Sequence, residues 1–420
     1  METPYNKGTS YEKYLSHFML VSLFVDEWNI FAVPMMSIFL AVYYNLSNIE
    51  LGLITAATVG GASIGSILGG IINDRIGRKK GFYINMGLFI FSAILSIISP
   101  TALIFIISRF IAGFPAGSDI TNAYSFIMET ISPGKREISG SKNTLMASYA
   151  ILGLNFAILL SLLLHFPYGI IWKIAIGISL IPSCILLGYS GKIKESKLWK
   201  SDPKDKKVTY TMFIKKLRKN KTTWNTTLYA WVCGMASGIE VGTFAFFMPY
   251  ILTSIHVSNI FYSRIIIILI YSFGVPAGII GPALIPRVGL RRLSYTGFAI
   301  SFISLMMAGS LLIFRYYILV PLPMILFVIG NHLNNQPIIT SQSLVSKTEY
   351  RGRAIGLTNF ITEIPAFFSI TIFPLMFSIT GIGFATMIVA LSSLAGVLVS
   401  VFIFREIYGY RRDIEEVLNN

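Results

Sequence analysis

Five carboxylates interrupt long apolar runs in this sequence: Asp26, Glu27, Asp119, Glu240 and Glu363. One base, Arg109, sits as deep. If those runs lie in lipid, each charge costs roughly 2.5–3.5 kcal/mol on insertion scales, so such residues face a cavity or a partner and mark a pathway. Away from water a carboxylate is readily held as the neutral acid, which is the property a proton carrier needs. Asp119 is a candidate proton site on that ground, against the plainer role of a polar helix contact. Asp26 and Glu27 are neighbours, about 100° apart around a helix, and only one of them can face a cavity squarely. Glu240 and Glu363 are candidates for holding a substrate, through hydrogen bonds to its hydroxyls or by attracting a cation; the alternative for each is a hydrogen-bonded contact between helices.

A second polar feature is the stretch His332-Leu333-Asn334-Asn335-Gln336-Pro337. The amides of Asn335 and Gln336 suit sugar-like donors and acceptors. His332 titrates near neutral pH if free, and is otherwise an interior residue with its bonds satisfied. Trp28, Trp231, Tyr250 and Tyr271 either stack on a ring or fill interior volume. Cys184 and Cys233 lie in apolar runs with no C-x-x-C spacing, so no disulfide framework, metal site or cofactor is expected.

The elements that would carry these residues are membrane helices. Of 420 residues, 54% are hydrophobic and only 13% charged, and the mean hydropathy is +0.69. A soluble domain carries about twice that charged share, which excludes an ordinary cytosolic enzyme. Twelve apolar stretches approach the roughly 20 residues of helix that cross a bilayer. Six run over His17–Tyr43, Leu51–Ile72, Gly81–Ser99, Thr101–Met128, Thr144–Leu164 and Tyr168–Tyr189. Six more run over Thr226–Thr253, Phe261–Pro286, Leu293–Phe314, Ile318–Leu344, Ala354–Ser378 and Gly383–Phe404. The polar start, Met1–Ser16, lacks a small-residue cleavage site, so no cleavable signal peptide is expected.

Lys and Arg exceed Asp and Glu by 34 to 19, a net +15. Placing both termini in the cytoplasm puts every base but Arg109, Lys173, Arg264 and Arg315 in cytoplasmic loops and tails. That asymmetry obeys the positive-inside rule and argues for an even span count. The positive charge is then topological, and nucleic acid is not an expected partner. The longest loop, 191–222, carries twelve Lys and Arg against Glu195, Asp202 and Asp205. It reads as a solvated linker, with anionic lipid as a possible contact.

The two sets of spans echo each other. Asn73-Asp74-Arg75-Ile76-Gly77-Arg78-Lys79-Lys80 follows span two, and Pro286-Arg287-Val288-Gly289-Leu290-Arg291-Arg292 follows span eight, at an offset of 212. Pro133-Gly134-Lys135-Arg136 and the segment from Lys347 to Arg351 match at an offset of 215. Two echoes at nearly one offset indicate a duplicated six-span half, with a site near mid-bilayer where the halves meet. The expected organisation is a first bundle over residues 1–190, a basic linker over 191–222, and a second bundle over 223–420.

The run Gly70-Ile71-Ile72-Asn73-Asp74-Arg75-Ile76-Gly77-Arg78-Lys79 resembles the signature loop G-x-x-x-D-R-x-G-R-[RK] of the major facilitator superfamily. The resemblance implies twelve transmembrane helices in two six-helix bundles related by a pseudo-two-fold axis, rocking about a central site. It places Asp74, Arg75 and Arg78, with Gly77 and Lys79, in a charge network that closes the inner side. The segment from Arg109 through Gly113, Pro115, Gly117 and Asp119 to Glu129 and Arg136 is similar to the R-x-x-x-G-x-G-x-G…E…P…R pattern of the proton-coupled sugar, phosphate and carboxylate symporters. That adds Glu129, Arg136 and, from the second half, Arg351 to the expected gating set. Glu195-Ser196 and Trp199 echo the P-E-S-P-R-W segment of the same group.

Asp26-Glu27-Trp28-Asn29-Ile30-Phe31 is similar to the D-x-Y-D-x-F run of phosphate and aromatic-acid carriers, with Asn29 in place of the second aspartate; Asn29 is counted with the substrate-binding candidates. The resemblance sets the span-one Asp26 against the span-four Arg109 as a coupling pair; a fixed ion pair locking two helices is the alternative. Departures from the pattern matter as well. Glu363 stands where the phosphate carriers have a lysine, which argues against phosphate, and Pro115 replaces a glycine and is expected to bend span four or demand local repair.

The expected function is therefore proton-coupled symport of a small polar metabolite such as a sugar, polyol or organic acid across the cell membrane, by a monomer whose other contacts are lipid. Proton-driven export of organic cations or drugs is the alternative, and a non-transporting sensor a more distant one. No HExxH, G-x-S-x-G or Walker pattern points to an enzyme.

Overall fold

The computed structural model describes residues 10–131, 135–196, 199–200, 214–215, 217–218, 220–254, 259–347 and 350–408. Pro133, Gly134 and most of the 191–222 segment, which the sequence reading singled out, lie outside these. The described residues form helices joined by short connections, with no strand among them. In the first half, α1 covers Ser10–Tyr44, α2 Asn48–Ile76, α3 Arg78–Ile97, α4 Ala102–Thr130, α5 Lys135–Gly140, α6 Asn143–Leu163, α7 Tyr168–Gly177 and α8 Leu180–Tyr189. In the second half, α9 covers Lys221–Glu240, α10 Phe246–Ser254, α11 Ile260–Ser272, α12 Gly274–Ile313, α13 Pro321–Val345, α14 Arg351–Thr380 and α15 Ile382–Phe402.

Measured by length and apolarity, eleven continuous helical stretches are able to cross a membrane among the described residues, against the twelve expected. The difference is one stretch of 54 residues, Ile260–Ile313, which holds both the eighth and ninth spans. The chain turns between them at Gly289, with φ 82° and ψ 165°, inside what hydrogen bonding alone marks as one helix. Twelve crossings therefore stand. Two expected spans are less regular than their composition suggests. The sixth is divided between α7 and α8, and the seventh passes from α9 to α10 through a π-helical turn at Val241–Ala245. Such turns are rare and often mark functional sites. Pro115 does not break α4, which runs on to Thr130.

The duplication is visible in the backbone. Gly77 has φ 99° and ψ 159° between α2 and α3, the counterpart of Gly289 at the expected offset of 212. That conformation is essentially closed to residues with a Cβ. A carboxylate caps the helix start beyond each glycine. Glu195 accepts from the backbone N–H of Arg78 at 3.0 Å and of Lys79 at 3.2 Å. Glu406 accepts from Leu290 at 3.1 Å and Arg291 at 3.0 Å. Negative charge at a helix N-terminus meets free N–H donors and the positive end of the dipole.

Helices of the first half pack mainly among themselves, as do those of the second. The largest contact between halves joins α2 to α14 over their full lengths. Small residues make this possible: a Cβ at Gly52 would meet the Thr371 carbonyl, one at Gly356 the Ser66 carbonyl, and one at Gly70 the Gly352 carbonyl. Two apolar layers fill the interior, one around Phe31, Phe39, Trp172 and Phe247, the other around Phe82, Phe126, Tyr229 and Phe404. The second lies toward the end that carries the Asn73–Lys80 loop, here termed the basic end. Large apolar side chains such as Phe91, Leu103, Phe368 and Leu391 stay exposed on the outside of the bundle, as expected where lipid is the solvent.

Gly289→Ala is expected to lower the unfolding temperature in detergent. Forcing a side chain into this backbone region costs of order 1–3 kcal/mol, and the new Cβ would strike the Glu406 carboxylate. A fall of roughly 1–4 °C follows from the usual entropy of unfolding of a chain of 420 residues. Gly87→Ala, where nothing lies within 4 Å of the added atom, should leave the temperature unchanged or slightly higher. Equal values for the two variants in a thermal scan would show that the Gly289 turn is not under this constraint.

Candidate functional site

Between the two apolar layers, where the halves meet, lies a cavity of about 140 Å³. Its wall combines Glu27, Phe31 and Asn143 from the first half with Ser237, Asn335 and Glu363 from the second. The π turn contributes Val241, Gly242 and Ala245. The halves touch on both sides of this cavity. On one side Phe31 meets Phe246 edge-on at 5.0 Å, and the buried Arg264 reaches across to the Met35 carbonyl at 2.7 Å and to Asn155 Oδ1 at 3.2 Å. Toward the basic end, Gln336 Nε2 donates to Thr144 Oγ1 at 3.1 Å, and Ser141 and Thr340 pair at 3.4 Å.

Of the two neighbouring acids on α1, the cavity takes Glu27 and not Asp26. Asp26 is buried behind it, and neither of its carboxylate oxygens finds a hydrogen-bond partner among the described residues. The expected pairing with Arg109 is not formed. Arg109 donates instead to the Asn29 carbonyl at 2.5 Å and, more loosely, to Asn29 Oδ1 at 3.4 Å. One helical turn separates the two positions, so the guanidinium has chosen the amide over the acid. Asn29 is thereby removed from the cavity wall, contrary to the substrate-binding role expected of it. Asp119 is tied into a polar cluster, accepting from Ser22 and from Asn85 Nδ2 at 3.1 Å. It is a polar contact between α1, α3 and α4, within Coulombic reach of Asp26.

Glu240 also departs from expectation. Its carboxylate points into the second half, where Oε2 accepts from Asn334 at 3.2 Å and Asn331 at 3.3 Å, and Oε1 from Ser393 at 2.5 Å. Both oxygens are satisfied and none of it faces the cavity, so Glu240 ties α9, α13 and α15 together. Gln336 is spent on the contact between halves. His332 and Asn335 do line the cavity, as does Glu363. His332 Nδ1 lies 2.7 Å from the Val328 carbonyl and Nε2 2.6 Å from Ser148 Oγ. A carbonyl can only accept, so Nδ1 carries a proton, while the serine hydroxyl can donate to Nε2 or accept from it.

At the basic end the gating residues fall into two groups. Arg78, fully buried, pairs with Glu129 at 2.7 Å and Asp74 at 3.2 Å, all within the first half. From the second half, Arg351 approaches Glu129 at 3.7 Å and Arg353 approaches Asp74 at 3.9 Å. Arg351 is anchored in its own half by the Ser343 and Ser346 carbonyls. Arg353 was not among the expected residues. Arg75 was, but it is exposed, lining with Lys80 and Trp199 a cleft apart from the network. Lys79 is likewise outside it, its Nζ donating to the Gly191 carbonyl at 3.0 Å. Gly77 serves through its turn, and Arg136 is buried on α5.

Three residues escaped the sequence reading as site members. Glu27 was recognised as a deep acid, but its side of the helix was open. Ser237 lines the cavity with a buried hydroxyl that has no hydrogen-bond partner among the described residues. Asn143 follows a masking stretch of polar residues at the start of α6 and gave no periodic signal.

Comparison with known proteins agrees with this fold. The family model described as Major Facilitator Superfamily matches residues 18–370. D-xylose-proton symporter-like 2 of Arabidopsis thaliana is 34% identical over 112 residues, 27% of this chain and 22% of that protein. The arabinose-proton symporter of Bacillus subtilis (strain 168) is 28% identical over 167 residues, 38% of this chain and 35% of that protein. The matches thus span about a fifth and a third of these two curated relatives. The structure of the proton:xylose symporter XylE bound to 6-bromo-6-deoxy-D-glucose superposes with a TM-score of 0.82 at 17% identity, covering 98% of this chain and 100% of that one. At that identity the likeness is one of fold.

The basic end should open when the second half withdraws its charges. In a background free of Cys184 and Cys233, a cysteine at Ile338, buried in the cavity wall, reports access. The double variant Arg351→Gln, Arg353→Gln is expected to raise its labelling rate by a water-soluble maleimide about tenfold, the effect of ~1.4 kcal/mol. Arg75→Gln should leave the rate unchanged. The reverse ranking would restore Arg75 to the network and remove the two second-half arginines.

Proposed function

Because the chain belongs to the major facilitator superfamily, we propose that it is a secondary-active transporter coupling proton entry to uptake of a small polar metabolite, of the sugar or polyol kind, by alternating access. The observation that carries this reading is Asp26, a buried carboxylate with no hydrogen-bond partner among the described residues. It adjoins a cavity-lining residue and lies one turn from an asparagine that holds a buried arginine. An unpaired carboxylate away from water bears the full desolvation cost of its charge, and a proton removes it. With Arg109 held on Asn29, Asp26 is in the state to carry a proton. With Arg109 swung one turn along α1, Asp26 is in the state to give the proton up. Sliding of α1 past α4 during rocking supplies the switch.

The names of the relatives, D-xylose and arabinose proton symporters, support both the proton and the polar substrate. An organic acid suits the site less well, since Arg109 is engaged elsewhere and two carboxylates line the cavity. The bias of basic residues toward one end supports a plasma-membrane protein with both termini cytoplasmic.

Asp26→Asn is expected to abolish accumulation driven by an acid-outside pH gradient in proteoliposomes, while substrate-for-substrate exchange continues. Coupling requires a group that changes charge, whereas exchange requires only that the loaded carrier rock. Uphill accumulation by the Asn variant would move the coupling role to another residue.

A further inference from the structure

The charge on the cavity wall narrows the class of substrate. Glu27 and Glu363 line the cavity from opposite halves and lie within Coulombic reach of each other. Each is otherwise buried, and the surface it leaves uncovered faces the cavity. Among the described residues no lysine or arginine shares the wall. Two buried bases lie outside it and donate to backbone carbonyls of α1, Arg109 to that of Asn29 and Arg264 to that of Met35. Among the described residues the only titratable base lining the cavity is His332, whose Nδ1 donates to the Val328 carbonyl and whose Nε2 lies against the Ser148 hydroxyl, so neither ring nitrogen is free for an occupant. The other groups facing the two acids are neutral: Asn143 and Tyr124 beside Glu27, and Tyr271 in the same wall.

A second observation points to a ligand at this place. The Ser237 hydroxyl is 3% exposed, lines the cavity and has no hydrogen-bond partner among the described residues. Buried hydroxyls are satisfied in nearly all proteins, so this one awaits a group that enters the cavity. Its neighbours across the wall, Asn335 and Asn143, offer amides to the same occupant.

Charge balance then selects the occupant. An anion would face two carboxylates and no base. A neutral polyol would leave both carboxylates to be neutralised by protons alone. A ligand with one positive charge meets one carboxylate, and a single proton meets the other, so that the loaded cavity is neutral while the empty one is not. We infer that the substrate is a small hydroxylated monocation, a polyol-like body bearing one basic or quaternary nitrogen, held between Glu27 and Glu363 with its hydroxyl groups on Ser237 and the wall amides. This rests on the symport reading, whose coupling proton on Asp26 is separate from the one that neutralises the second cavity carboxylate. Neutralising the pair only when the cation and the cavity proton are both aboard permits the halves to rock loaded and resists rocking with one of the two.

The test uses the full-length protein in proteoliposomes with an internal pH dye, protein-free liposomes setting the baseline. Three matched pools are added outside at equal concentration: choline and glucosamine, then glucose, xylose and myo-inositol, then gluconate. The cationic pool is expected to acidify the lumen, and the neutral and anionic pools to give at most a tenth of that rate. Glu363→Gln and Glu27→Gln should each raise the half-saturating concentration of the active cation tenfold or more. Glu363→Asp, which keeps the charge, should retain most of the response and shows that the site still folds. Acidification by the neutral pool, unchanged in Glu363→Gln, would overturn the inference and leave proton symport standing. Alkalinisation by the cationic pool, again lost in Glu363→Gln, would uphold the cation site and overturn symport in favour of exchange. Silence for all three pools would overturn both.

Discussion

A charge inside a membrane protein must be met by another group, because neither lipid nor bulk water is there to meet it. The arrangement of this molecule follows from how each buried charge is answered. Arg78 is answered by Glu129 and Asp74, and Glu240 by two amides and a hydroxyl. Arg109 and Arg264 take backbone carbonyls of α1. Glu195 and Glu406 take the free N–H groups that follow two strained glycines. Once these are accounted for, three acids remain with a demand the protein leaves open: Asp26, with no partner among the described residues, and Glu27 and Glu363, which face the cavity. The open demands cluster at mid-molecule, between the halves, while most of the answered ones hold each half together and Arg264 ties one half to the other.

That division also describes how the molecule can move. Within the first half the ion pairs of Arg78 are short, and the amide network around Glu240 within the second is equally close. Between the halves the pairs lengthen to 3.7 and 3.9 Å. Both pairs are buried, and at such distances the cost of desolvation offsets much of the Coulombic gain, so their net contribution is small enough to be broken and remade. The α2–α14 seam is of another kind. Glycine against carbonyl leaves no room for side chains to interlock, so the two helices present smooth backbones to each other at Gly52, Gly70 and Gly356. Side chains cross this seam at only a few points, Asn359 donating to Ser66 Oγ at 2.6 Å and Phe367 covering Gly60, and the ion pairs at its end help decide which way it rests.

Much of this was legible in the amino-acid sequence, and the residues show why. Span positions depend on apolar length, which is a local property, so twelve crossings could be read directly; the one complication, at Gly289, is a turn too tight for a loop to be seen. The duplicated loops were legible because a positive-φ glycine and its flanking bases are local necessities. Glu406 was not, because its partner lies 115 residues earlier and nothing near it in sequence marks a cap. The cavity was half legible. Glu363, His332 and Asn335 follow from polarity within an apolar run, but polarity does not tell which way a side chain points. Glu240 and Glu27 have the same sequence signature and opposite fates, decided by whether neighbouring helices offer amides. Asn331 and Asn334 offer amides and Ser393 a hydroxyl to Glu240. Family resemblance put Asp26 with Arg109, and the conformation described here separates them, since a resemblance carries roles and not a particular state of the cycle.

Asp26 and the cavity pair solve different parts of one problem. Asp26 does not line the cavity, so in the proposed cycle a proton there would not compete with an occupant for the same oxygen atoms. Glu27, the next residue, lines the cavity. Adjacent positions on one helix turn together, so any rotation of α1 that presents Glu27 to an occupant also moves Asp26 relative to α4 and Arg109. Binding in the cavity is thereby transmitted to the proton site through a single rigid element, with no chain of side chains between. The requirement is that α1 be stiff around residues 26 and 27. It is helical without a break from Ser10 to Tyr44, with Pro34 two turns beyond, and Trp28 pins that stretch by donating to the Ala175 carbonyl at 2.9 Å. A coupling device of this type needs two neighbouring acids with different surroundings, which is what burial of one and exposure of the other to the cavity provides.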